Sequence, residues 1–414
     1  MTMLTMTSRV KLWLAAVAIL TTPALEAQAA SKSVALTVKE TTGIRRYRYP
    51  VGVRVPFPKG ALSSADNARL TLSGAEVPGQ FTSENLWPDG SVQWLAVDLN
   101  AEIGPNEEQK YQLEYGAEVK SGPPSKGLLV TENADSIQVG NVRFSRTASP
   151  LLVSVKYRGE VLRAPGTGFA VVDAAGTLLD LKSVEPVKLD ILKRGPIYVA
   201  LRYSGRLALD AGSSVPFVVT AEMPNSKAWV KVTAQVDDPG KRIKGIVYQM
   251  PLSLGPFPWV WDFGTERWTY GSLRKSSDSM ILTETVKSPE SSDWQIKFGS
   301  KGQEESYETA PKGRSAPLVR WGHIQDSKDV IAFGVDANPN LPGHYEFALD
   351  GEGRGSIRFT PATPAAQHRL TVYHHIVATP VQIGAVTSAS AMLSPLVATC
   401  DPKQFAISGV RQSK

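Results

Sequence analysis

The sequence predicts an all-β protein, with a small N-terminal β-barrel domain followed by a large antiparallel β-sandwich. Three observations lead there. Runs of β-branched and aromatic residues recur at short intervals from Val34–Val38 to Leu370–Val377, each bounded by Gly, Pro, Asn or Asp. No convincing helical pattern intervenes between them. Gly occurs 34 times and Pro 29 times, punctuation that suits sandwiches and barrels better than an α/β domain.

Residues 1–29 read as a secretory signal. Arg9 and Lys11 precede an apolar run, Leu12–Leu20, that is too short to span a bilayer, and Ala27-Gln28-Ala29 supplies a small-x-small cleavage pattern. The mature chain is therefore expected to start near Ala30 and to be periplasmic or secreted. Beyond the signal no apolar stretch approaches transmembrane length, so no membrane anchor is expected. A chain of 414 residues exceeds what one core usually organises, so two domains are the prior. The single cysteine, Cys400, excludes an intrachain disulfide and leaves the fold to core burial. The formal charge of +6 comes from 45 basic and 39 acidic residues that are interspersed rather than blocked. With an export signal and no basic, aromatic-interleaved stripe, nucleic acid is not an expected partner.

The barrel domain is assigned to residues 30–120. Its strands include Val34–Val38, Ser91–Leu99 and Lys110–Tyr115, and Trp87-Pro88-Asp89-Gly90-Ser91 forms a tight turn because Pro88 presets φ and Gly90 accepts the left-handed region. Both faces of the strand at Val92–Leu99 carry apolar residues, which predicts cover on both sides and a packing role for Trp94. Ser121-Gly122-Pro123-Pro124-Ser125 reads as a linker. The sandwich is assigned to residues 127–400, with breaks at 287–293 and 299–313, and residues 401–414 to a C-terminal tail. Thr379–Leu396 reads as strand or short helix.

Two segments, Val53-Arg54-Val55-Pro56-Phe57-Pro58-Lys59-Gly60-Ala61-Leu62 and Trp87-Pro88-Asp89-Gly90-Ser91-Val92-Gln93-Trp94-Leu95, resemble the N-terminal barrel domain of the YetA-like and exo-rhamnogalacturonan lyase group. The resemblance covers the first quarter of the chain, and the β-rich region after it is similar in pattern to that group's central sandwich. It implies a carbohydrate-related, polysaccharide-lyase-like function. Members of the group ordinarily continue into an α-helical toroid, for which this sequence shows no counterpart, and no family active-site motif can be carried over to its residues.

Aromatic density peaks at Phe257–Tyr270. Sugar sites need flat aromatic faces and a carboxylate or guanidinium, and Trp259, Trp261, Asp262, Arg267, Trp268 and Tyr270 offer these side by side, with His344 as a further candidate. Trp259, Trp261 and Phe263, at period two, fit one buried sheet face equally well. Uronate elimination needs a cation, a base and an acid, for which Arg369, Tyr373 and His374 are the catalytic candidates. Adjacent strand residues point to opposite faces, so His374 and His375 cannot both serve one site. No metal-binding, P-loop or dinucleotide motif occurs, so no metal or cofactor is implied. The expected ligand is carbohydrate. The competing reading is a non-catalytic envelope module, with a protein partner covering an apolar patch on the sandwich face.

Overall fold

The computed structural model describes residues 32–122, 127–157, 160–210, 212–265, 269–288, 290–311, 318, 320–336, 342–377 and 392–410. The expected signal peptide lies outside them, as do Arg267, Trp268 and most of Thr379–Leu396. The protein is all-β. Every strand pairing among the described residues is antiparallel, in four sheets of five, three, twelve and nine strands.

The five- and three-stranded sheets form the N-terminal barrel. Lys32–Lys39 pairs with Glu108–Tyr115, and its alternation buries Val34, Leu36 and Val38. Val92–Ile103 lies between Arg46–Pro56 and Gly79–Leu86. Its Leu95, Val97 and Leu99 enter the barrel core, while Ala96 and Asp98 are buried on the opposite face. This strand is thus covered on both sides, which a purely apolar barrel wall would not require.

The chain's last segment corrects the assignment of residues 127–400 to the sandwich and 401–414 to a tail. Val397–Cys400 pairs with Lys32–Lys39, with Leu36 opposite Cys400, and completes the barrel's five-stranded sheet. The helix Pro402–Ser408 follows, capped by Asp401, whose side chain accepts from the Lys403 N–H at 2.9 Å, and closed by Gly409 at φ 68°. Gln404 donates to the Pro56 carbonyl at 2.6 Å and Phe405 packs edge-on against Trp94. A strand of four residues carries no sign of which sheet it will join. Burial pushes the Cys400 thiol up to about 11, so it stays protonated and inert.

The twelve- and nine-stranded sheets face each other across the main core, which holds Trp261, Phe217, Phe263, Phe333 and Phe347. Two of its tyrosines are matched inside it. The Tyr203 hydroxyl donates to the Ser145 carbonyl at 2.9 Å, and Tyr248 bonds the His374 Nδ1 at 2.7 Å. A second small cluster, Trp229, Trp321, Tyr373 and Met392, lies on the outer face of the nine-stranded sheet.

The barrel's rim is held by one carboxylate. Glu40 accepts the backbone N–H groups of Thr42, Gly43, Ile44 and Asn106, and pairs with Arg46 at 3.2 Å, both side chains being buried. Burial opposes ionisation, but the hydrogen bonds from Asn106, Thr42 and Arg46 outweigh it and hold the carboxyl far below its ordinary range. A depressed folded pKa gives stability that is present above the unfolded value of about 4.3 and is lost as pH falls below it. Glu40→Gln should cost about 3 kcal/mol at neutral pH by removing the carboxylate that faces the buried Arg46 guanidinium. In urea titrations the wild type should lose stability between about pH 5 and 3, and the variant should lose much less. Parallel pH profiles would show that Glu40 is not the responsible group.

Candidate functional site

The barrel sits on the outer face of the nine-stranded sheet, and the contact is polar. Gln80 accepts the N–H groups of Ile197 and Tyr198, each at 2.9 Å, and donates back to the Tyr198 carbonyl at 2.9 Å. Gly195 leaves room for it, since a Cβ there would lie 2.2 Å from the Gln80 side chain. Asn100 donates to Asn225 and accepts from Ser226, both at 2.8 Å.

Beside this seam a cleft of about 270 Å³ opens between the two domains. Its barrel wall carries Arg54 and Asp98. Its sandwich wall carries Lys193, Tyr198, Glu222, Lys231, Trp229 and Tyr373. These residues come from four adjacent strands, Lys188–Arg194, Tyr198–Asp210, Ser213–Pro224 and Trp229–Asp237, with Gln367–Val377 next in order. Glu222, Lys231 and Tyr373 are register partners across three of these strands, so their side chains rise side by side from one face.

The charges in the cleft are interlocked. Lys193 Nζ donates to both Asp98 oxygens, at 2.8 and 2.9 Å, and stands 5.3 Å from the centre of the Tyr198 ring. The Tyr198 hydroxyl donates to Glu222 at 3.0 Å, and Lys231 pairs with the other Glu222 oxygen at 3.2 Å. Burial, against the pull of Lys193, pushes the Asp98 carboxyl up. Burial and then Glu222 push the Tyr198 phenol well above its ordinary value, which keeps its proton on. Trp229 and Tyr373 meet edge to face at 5.3 Å along one side. Perturbed acids, cations and aromatic faces in one concavity are what a polar substrate site requires.

Of the catalytic candidates, Tyr373 lines this cleft. Arg369 is exposed on the same face, about 13 Å further along the strand. His374 is a correction: the strand's alternation turns it into the sandwich core, where it bonds Tyr248 and burial lowers it to about 3. It cannot share a site with Tyr373. His375 returns to the outer face, opposite Trp229, and burial lowers it to about 4.

The aromatic segment divides in the same way. Trp259 is held in the core, its Nε1 donating to the Gly255 carbonyl at 2.7 Å and its ring 4.5 Å from Phe257, so it is no ligand platform. Trp261 is fully buried, yet one edge of it reaches a groove at the margin of the sandwich that Tyr270 also lines. Asp262 turns to the outer face, against His323 Nδ1, and does not line that groove. His344, bonded to Thr285 at 3.0 Å, projects from the outer side of the twelve-stranded sheet, because its neighbour Tyr345 takes the inward position. Asp98, Lys193, Tyr198, Glu222 and Lys231 were not anticipated from the sequence. The available signal was Asp98 itself, an acid amid Leu95, Ala96, Val97 and Leu99, which demands a buried cation from elsewhere.

Residues 38–116 match the family described as the PcRGLX-like N-terminal RIFT barrel domain. Both segments that carry the resemblance in the sequence fall within that range, so the resemblance to the rhamnogalacturonan lyase-like group holds for the barrel. Among solved structures, the fold is similar to an alpha-mannosidase from Enterococcus faecalis V583, with TM-score 0.51, 12% identity, and coverage of 89% of this chain and 46% of that chain. It is also similar to a protein in glycosyl hydrolase family 38 from Enterococcus faecalis, with TM-score 0.52, 13% identity, and coverage of 90% and 48%. At such identities the likeness is one of fold. The chain is also 26% identical over 159 residues to Neuropathy target esterase sws of Drosophila sechellia, covering 34% of this chain and 10% of that protein. This chain therefore spans about a tenth of that relative's length. It has no Gly-x-Ser-x-Gly nucleophile elbow.

The cleft's electrostatics can be measured. Lys193→Met should destabilise the protein by about 3 kcal/mol in urea unfolding, because Asp98 is left buried without its cation. Adding Asp98→Asn should recover most of that loss, since the double variant removes both charges. Additive losses would mean that the two groups do not act as a pair.

Proposed function

We propose that this protein is exported to the periplasm or beyond and acts on, or binds, an acidic polysaccharide or oligosaccharide in the cleft between barrel and sandwich. The observation that carries the reading is the convergence of Lys231, Glu222, Tyr198 and Tyr373 in that cleft, beneath a barrel of the rhamnogalacturonan lyase-like kind. The likeness of the whole fold to proteins titled as an alpha-mannosidase and a family 38 glycosyl hydrolase agrees with a carbohydrate ligand.

The chemistry that suits these groups is β-elimination. A cation neutralises the uronate carboxylate, a base removes the proton at C5, the C4–O bond breaks as a C4–C5 double bond forms, and an acid protonates the leaving oxygen. Lys231 suits the first role, and the phenols of Tyr373 and Tyr198 suit proton transfer, with Tyr198 kept protonated as a donor. Trp229 supplies an apolar face for a ring.

Pectic and other acidic polysaccharides should develop the ultraviolet absorbance of unsaturated uronates when incubated with the mature protein. Tyr373→Phe should slow this by about 100-fold or more while leaving the melting temperature near the wild-type value. A flat trace with retardation in affinity gels would favour the non-catalytic binding module, and the absence of both signals would overturn the carbohydrate reading. Export has its own check. Mass spectrometry of the periplasmic or secreted protein should find a chain starting near Ala30, and a cytoplasmic chain retaining Met1 would refute it.

A further inference from the structure

The margin of the sandwich far from the barrel holds a second cavity, of about 820 Å³. It opens where the edge strand of the nine-stranded sheet, Thr269–Leu273, comes against the twelve-stranded sheet at Asp278–Ser288, Ser291–Ser300 and Gln303–Thr309. Four strand spacings, about 19 Å, separate Thr269–Leu273 from Gln367–Val377, which carries Tyr373. The cavity is therefore not an extension of the cleft.

Its lining combines three kinds of group. Tyr270 and Tyr307 are 70% and 50% exposed, and Phe298 stands 5.9 Å from Tyr307 behind them. Tyr307 is fixed in place, its hydroxyl donating to the Tyr270 carbonyl at 3.0 Å. The rings are thus presented on two joined edge strands, at little entropic cost for a ligand. Arg274 and Lys275 follow on the connecting turn, exposed and with no ion-pair partner among the described residues. Asp278, the acid beside them, is occupied in accepting the backbone N–H groups of Arg274 and Lys275, at 2.7 and 3.2 Å. The cavity's free charge is positive.

The third group is buried. Trp261 has no solvent exposure, and its Nε1 has no hydrogen-bond partner among the described residues. The ring lies beneath Gly271, where a Cβ would come 2.8 Å from Cε2, the carbon bonded to Nε1. Gly271 therefore lets the indole pack against its backbone, under the floor of the cavity.

We infer that this cavity is a second saccharide-binding site, selective for an acidic sugar unit. The ring's C–H face stacks on Tyr270 and Tyr307, and Arg274 and Lys275 hold the negative charge. The inference rests on the carbohydrate reading for its class of ligand, but not on the cleft or on catalysis.

The test is binding of oligogalacturonides and of neutral galacto-oligosaccharides, measured by calorimetry with the full chain as wild type, Tyr270→Ala, Arg274→Met and the cleft variant Lys231→Met. Tyr270 and Arg274 are exposed, so their variants should melt as the wild type does. Oligogalacturonide binding should persist in Lys231→Met at one site, and weaken by about ten- to thirtyfold in Tyr270→Ala and in Arg274→Met. Neutral oligosaccharides should bind more weakly than the acidic ones, and lose less in Arg274→Met. Binding abolished by Lys231→Met and untouched by Tyr270→Ala would overturn the second site while leaving the cleft intact. Equal affinity for neutral and acidic ligands would overturn its selectivity, and no binding by the wild type would overturn both readings together.

Discussion

Asp98 stands in a strand that is covered on both sides, and a carboxylate buried there cannot be left alone. No described residue of the barrel neutralises it. The cation comes from Lys193, on the edge strand of the sandwich's nine-stranded sheet, and reaches both carboxylate oxygens. Gly52, opposite Asp98 in the neighbouring strand, leaves the space, since a Cβ at that position would fall 2.9 Å from Asp98 Oδ1. One ion pair thereby selects a docking position from the many that two apolar surfaces would permit. The hydrogen bonds of Gln80 and Asn100 are then made at that position, and the cleft exists because of it.

The chain's path reinforces this constraint. The barrel is built from both ends of the described chain, with Val397–Cys400 lying against Lys32–Lys39, so the sandwich is in effect inserted into the barrel. The two domains are joined at two covalent crossings, near residue 120 and near residue 395. A pair of domains tethered twice has little freedom to rotate, which suits a polar site whose two walls come from different domains. It also explains why the short helix Pro402–Ser408 is ordered at all. Seven residues form a poor helix alone, and Gln404 and Phe405 supply the tertiary contacts that hold it.

Local chemistry was legible in the sequence, and long-range pairing was not. The turn at Trp87–Ser91 forms as its residues dictate, with Gly90 at φ 85° and Asp89 accepting from Ser91. The period-two aromatics at Trp259, Trp261 and Phe263 do fill a buried face. Periodicity tells which residues share a face, but not what lies opposite that face. Tyr373 and His374 illustrate this, since alternation separates them while only tertiary packing decides which one meets the cleft. Lys193 and Lys231 resemble ordinary surface lysines until strands distant in sequence bring Asp98 and Glu222 to them. His344 shows the same thing, since its sheet faces the aromatic segment but the strand's alternation turns Tyr345 inward and His344 to the outer side.

The two concavities use charge in opposite ways. In the cleft the described acids and cations are paired with one another, so a substrate must displace an existing partner. Such sites gain by being preorganised: Glu222, held by Lys231 and Tyr198, can release either contact as a ligand's own carboxylate or hydroxyl arrives. At the sandwich margin the cations are unpaired and exposed, which favours capture at long range but gives little orientation by itself. There the orientation has to come from the rings of Tyr270 and Tyr307. A paired, enclosed site suits chemistry on a bond, whereas an open, positive and aromatic margin suits holding a chain.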